Sequence, residues 1–165
     1  MSPVSSAISI HYQAIDLADS TAGEDLWQYR YTVSDYIFAE NTGFVLFFDH
    51  TLYASLQNPA PFVHADWDIL VTQPIAFIPE KGTYDALALL DSPSLINEFS
   101  LNFIWLGQSI PSSQAFELYD VDFNSLASGN TLNVNASIPE PSTLFLLSFA
   151  LLFGIPSLNS LENKS

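Results

Sequence analysis

The side chains best placed to do chemistry in this chain are acids and imidazoles at alternating spacing. His64, Asp66 and Asp68 lie two residues apart. On a strand, alternate residues share a face, so the three could converge. Asp120 and Asp122 repeat the carboxylate spacing. Hard oxygen donors suit calcium, which extracellular sites often bind weakly, so Asp66, Asp68, Asp120 and Asp122 are the candidate metal ligands. The plainer reading of the same residues is a solvated acidic face, because no EF-hand spacing surrounds them. Paired carboxylates also serve glycosidases, but among 18 Asp and Glu some pair always occurs by chance. A serine hydrolase needs a base, and His11, His50 and His64 are available, yet no Gly-x-Ser-x-Gly elbow is present. His50, beside Asp49, reads as a turn residue. Only 6 glycines occur, and none forms a phosphate-binding loop. Cysteine is absent, which removes disulfides, thiolate nucleophiles and thiolate metal sites. The expectation is a protein without catalytic residues and with no cofactor other than calcium.

These residues need elements to hold them, and the pattern is that of strands. Apolar side chains alternate at Ile8, Ile10, Tyr12 and Ala14, at Trp27, Tyr29, Tyr31 and Val33, and at Phe99, Leu101, Phe103 and Trp105. Residues 44–48, 69–72, 84–89, 115–119 and 131–136 are further candidate strands, rich in aromatic and β-branched types. Asn, Gly, Pro and Ser clusters punctuate them. Residues 51–57 read as one or two helical turns. At 165 residues with 48% hydrophobic content, the chain is long enough for one domain with a real core. The predicted fold class is all-β: an antiparallel β-sandwich or jelly-roll-like body over residues 8–138, with a short C-terminal apolar helix. The 13 Phe, 7 Tyr and 3 Trp would fill the space between two sheets. If some aromatics instead line a sugar-binding groove, Trp27, Trp67 and Tyr84 are the candidates.

Charge narrows the partners. The net charge is −15, and the only basic side chains are Arg30, Lys81 and Lys164. Such a chain is repelled by phosphate backbones and by anionic lipid heads, so nucleic-acid binding is excluded.

The C-terminal segment is different in kind. Residues 144–155 read LFLLSFALLFGI. As a helix this run would extend about 18 Å, short of a hydrocarbon core about 30 Å thick. Ahead of it stands Ile138-Pro139-Glu140-Pro141-Ser142-Thr143-Leu144. This arrangement resembles the PEP-CTERM sorting signal of exported bacterial proteins. The resemblance implies that residues 139–165 are a sorting segment with an apolar helix over 143–158, and that Pro139, Glu140 and Pro141 are recognised by a membrane exosortase. It implies transient anchoring in the inner membrane, then release to the outer surface or extracellular matrix, with exopolysaccharide as a partner. The basic cluster that ends such signals is reduced here to Lys164.

The body resembles, more loosely, proteins that carry this tail. The matching positions include Phe48-Asp49, Trp67-Asp68, Gln73-Pro74, Tyr84-Asp85-Ala86-Leu87-Ala88, Trp105-Leu106-Gly107 and Gln114-Ala115-Phe116. They span roughly residues 27–131 and imply no defined activity. Export requires a signal peptide, and residues 1–7, MSPVSSA, read as the remnant of its cleavage region, with cleavage after Ala7.

Overall fold

The computed structural model describes residues 8–59, 65–96 and 99–134. The chain divides into two units, Met1–Asn135 and Ala136–Ser165, and every described element belongs to the first. The predicted helix over 143–158, Pro139 to Pro141, residues 1–7 and His64 lie outside the described residues. Among the described residues no helix is long and apolar enough to cross a membrane.

The described body is all-β. Its strands are β1 (Ser9–Asp16), β2 (Leu26–Ser34), β3 (Gly43–Phe48), β4 (Tyr53–Gln57), β5 (Trp67–Thr72), β6 (Gly82–Ala88), β7 (Phe99–Trp105), β8 (Ala115–Tyr119), β9 (Ser125–Asn130) and β10 (Leu132–Asn133). They form two five-stranded sheets, in the orders β10-β1-β2-β7-β4 and β5-β6-β3-β8-β9. All pairings are antiparallel except β1 with β10.

The alternation seen in the sequence is the alternation that the core uses. Phe99, Leu101 and Phe103 of β7 are buried, as are Tyr84, Ala86 and Ala88 of β6, with Asp85 and Leu87 turned outward. One hydrophobic cluster takes residues from both sheets. Aromatic rings join them: Phe44 meets Phe99 edge-on at 5.0 Å and 90°, Trp67 meets Phe99 at 5.0 Å and 88°, and Phe48 meets Tyr53 at 5.2 Å. Edge-to-face geometry matches the ring quadrupoles and adds about 0.5–1.5 kcal/mol per pair beyond area burial.

Two elements correct the sequence reading. Residues 51–57 are not helical: they form a turn followed by β4, which pairs with β7. Tyr53 and Leu56 are both buried although three apart, because the ladder is irregular between Ala54 and Gln57 and Ser55 has a φ of 52°. A bulge of this kind changes the side-chain period locally and imitates helical spacing. The backbone of Leu56 is paired there by a side chain: Gln73 accepts from Leu56 N at 2.8 Å and donates to Leu56 O at 2.6 Å. Strand β9, by contrast, has no apolar alternation to reveal it. Its residues are mostly exposed, and Ser128-Gly129-Asn130 has the composition of a turn. Of the strand expected over 131–136, the described part includes β10, paired parallel to β1, and residues 135–136 lie outside the described residues.

Candidate functional site

The acidic pairs singled out from the sequence stand at separate places. Asp66 sits in the bend before β5, where its Oδ2 accepts from Ser94 N at 2.9 Å. Asp68 is exposed on the outward face of β5. Asp120 and Asp122 belong to the β8–β9 turn. Strands β6 and β3 lie between β5 and β8. Among the described residues, no three His, Cys, Asp or Glu side chains come together to hold a metal ion.

Asp120 is occupied in building its turn. Its Oδ1 accepts from Asp122 N at 2.9 Å and from Asn124 N at 2.8 Å, and its Oδ2 is 3.2 Å from the Asn124 amide nitrogen. These hydrogen bonds, the Asn124 backbone first, lower its pKa. The turn places Phe123 in the left-handed region at φ 60°, uncommon for a bulky residue. Asp120→Ala is expected to lower the melting temperature at pH 7. The contribution of a lowered carboxylate is present above its unfolded pKa of about 3.9 and lost as pH falls through its folded value. The gap between variant and wild type is therefore expected to close under acid conditions, and thermal melts across pH check this.

The aromatics proposed for a sugar groove are placed differently. Trp67 and Tyr84 are core residues at 3% and 0% exposure, so neither offers a platform. Trp27 is half-buried, packs against the core and donates from Nε1 to Asp25 at 2.8 Å. His50 does sit in a turn, 3.6 Å from Asp49, whose Oδ1 also accepts from Thr51 N at 2.8 Å. On β1, Ser9 Oγ is 3.4 Å from His11 Nδ1.

Chemistry-bearing side chains gather instead on the outer face of the second sheet. Strand β3 presents Gly43, Val45 and Phe47 outward. Register places Asp85 of β6 and Glu117 of β8 on either side of Val45. Gly43 lies opposite Tyr119, and a Cβ at Gly43 would collide with the Ala86 carbonyl and the Tyr119 phenol. The missing side chain is what lets the Tyr119 ring cross the strand, a role a strand-interior glycine often has. Its hydroxyl then donates to Asp85 Oδ1 at 2.6 Å. Burial raises the Asp85 pKa, and the nearby Asp68 charge adds to the rise while the Tyr119 hydroxyl opposes it. Tyr119 is raised by burial and by its bond to Asp85. Phe123 stacks on Tyr119 at 5.4 Å and 27°, yet remains 73% exposed. A groove of about 280 Å³ runs between these groups, and a second of about 450 Å³ continues past Glu117 toward Phe47 and Asn130.

A second polar cluster is internal. Gln114, 2% exposed, accepts from the Tyr31 hydroxyl at 3.0 Å and donates to the Tyr53 hydroxyl at 3.2 Å and to Ser112 O. Tyr29 donates to Ser112 O at 2.8 Å, and its oxygen is 3.0 Å from that of Tyr53. Burial raises the pKa of Tyr29, Tyr31 and Tyr53, so all three phenols are neutral at ordinary pH. This cluster satisfies buried polar atoms, and its Tyr53, Ser112 and Gln114 also line a small depression of about 160 Å³ beside Asp49 and Lys81.

Glu117, Tyr119 and Phe123 carried no motif in the sequence, and Asp85 stood only within the looser resemblance at residues 84–88. No family model, no curated protein and no solved structure matches the chain.

Proposed function

We propose that this chain is an exported surface or matrix protein: a β-sandwich body delivered by a C-terminal sorting segment. The observation that carries the reading is Pro139-Glu140-Pro141-Ser142-Thr143 directly ahead of the apolar run at 144–155. In this reading a membrane exosortase recognises Pro139, Glu140 and Pro141, while an apolar helix over 143–158 holds the chain in the inner membrane. Cleavage near 139–141 then frees the body toward exopolysaccharide.

The architecture of the body supports such a cut. Among the described residues the last strand ends at Asn133, so a cut near 139–141 leaves every described strand in place. The acidic surface suits a released protein, since a net charge of −15 opposes self-association and adsorption to anionic membranes. No catalytic role is assigned to the body.

A competing reading is a chain that stays anchored on the periplasmic face because its tail is never cut, the basic cluster of a processed signal being reduced here to Lys164. The intact mass of the protein recovered from cells expressing the gene with its upstream region separates the two. A mass ending near residues 139–141 is expected. A mass retaining 144–165 in the membrane fraction would overturn release.

A further inference from the structure

We infer that the outer face of the second sheet, from Phe123 to Phe47, is a binding groove for an uncharged polysaccharide strand. This deepens the matrix reading by giving it a ligand class and a site, and it rests on that reading only for the source of the glycan.

The floor is made by small outward residues. Val45 of β3 and Ala115 of β8 leave a depression between larger neighbours, and Gly43 lets the Tyr119 ring lie flat across the strand at one end of it. Gly43 and Phe47 are four residues apart on one strand, about 14 Å at about 3.4 Å per residue. That length accommodates two or three linked pyranose rings. The two grooves share Glu117, and their volumes fall near the small-ligand range of about 300–1,000 Å³.

The walls have the mixed character a sugar needs. A pyranose has an apolar face of C–H bonds and a rim of hydroxyls. Phe123, held out by its turn and backed by Tyr119, offers a flat apolar ring for that face. Asp85 and Glu117 offer acceptors for the hydroxyls, and charge-assisted bonds of this kind are the stronger ones. Thr83 adds a hydroxyl that is already held 2.7 Å from Thr72.

Charge selects among glycans. Asp68, Asp85 and Glu117 share this face, and its cation, Lys81, lies over the Phe47 ring at 5.9 Å from the centroid. A uronic-acid polymer would meet like charge here, and a neutral one would not. A cation is the weaker candidate, because no three carboxylates converge among the described residues and Asp85 already accepts from Tyr119.

The test uses the full chain against neutral tetrasaccharides (β-1,4-glucan, β-1,3-glucan and β-1,4-mannan) and tetragalacturonate, read by calorimetry. Saturable binding to at least one neutral tetrasaccharide is expected, with tetragalacturonate silent and the matching monosaccharide at least tenfold weaker. Phe123→Ala and Glu117→Gln are each expected to weaken binding at least tenfold with unchanged circular dichroism. Phe77→Ala, which removes a ring 98% exposed between β5 and β6, is expected to leave binding unchanged. Failure of every neutral tetrasaccharide to saturate would overturn the groove, as would full binding by both Phe123→Ala and Glu117→Gln. Equal binding of tetragalacturonate would overturn its selectivity for uncharged strands. Processing is read by mass and binding by heat, so a bound glycan on an unprocessed chain would remove the sorting reading and leave the groove standing.

Discussion

Gln114→Ala is expected to destabilise the body by about 3–5 kcal/mol, among the largest effects available to a single substitution here. The wild-type side chain is buried and meets four partners: the Tyr31 and Tyr53 hydroxyls, Ser112 O and the Thr131 hydroxyl. Truncation leaves a cavity and strands the hydroxyl of Tyr31, itself 1% exposed. Each buried polar group left unpaired costs about 1–3 kcal/mol. Against a total stability of about 5–15 kcal/mol this is a large fraction, and at about 3 °C per kcal/mol the melting temperature should fall about 10–15 °C.

A second variant separates the cavity from the lost bonds. Gln114→Leu restores volume but not polarity, so it should remain strongly destabilised on its own. Adding Tyr31→Phe to it removes the stranded hydroxyl and should recover part of the loss, since replacing both partners by apolar groups is often close to neutral. Additive effects of the two changes, measured by urea denaturation, would mean that the Tyr31–Gln114 bond contributes nothing to stability.

How far these features could be read from the sequence depends on the range of the interaction. Strands β7 and β8 begin and end where the alternation of Phe99 to Trp105 and of Ala115 to Tyr119 places them, because a period of two is a local consequence of the pleat. The same reasoning fails at β4. There the bulge at Ser55 rephases Tyr53 and Leu56, and what holds that backbone is the amide of Gln73, seventeen positions away. It fails again at β9, which is held by pairing with β8 and buries almost nothing.

The candidate site was hidden for a related reason. Asp85, Val45 and Glu117 come from β6, β3 and β8, which become neighbours only through strand order. Alternation indicates which side chains share a face of one strand, and it is silent about which strand lies alongside. The spacing of Asp120 and Asp122 suggested metal ligands, yet Asp120 spends its lone pairs on its own turn. Its consequence for the site is indirect: the turn it organises is the one that presents Phe123.

Gly43→Ala is the second large effect, and it joins the fold to the groove. The added methyl would run into the Ala86 carbonyl and the Tyr119 phenol. The phenol could swing away. The carbonyl could not, because it belongs to β6, whose register with β3 runs unbroken from Gly43–Leu87 to Phe48–Gly82. Overpacking against a fixed backbone costs about 1–3 kcal/mol, and about 3 kcal/mol is expected here because two neighbours are struck at once. Two readouts should move together. The melting temperature should fall by about 10 °C, and the Tyr119 ring should leave Asp85, which breaks the 2.6 Å bond and unseats Phe123. Adding Tyr119→Leu to Gly43→Ala relieves only the side-chain half of the collision, so it should recover part of the stability and none of the groove. A Gly43→Ala protein that melts within about 1 °C of wild type would mean that the ring does not cross the strand there, and the Tyr119–Phe123 end of the groove would be lost with it.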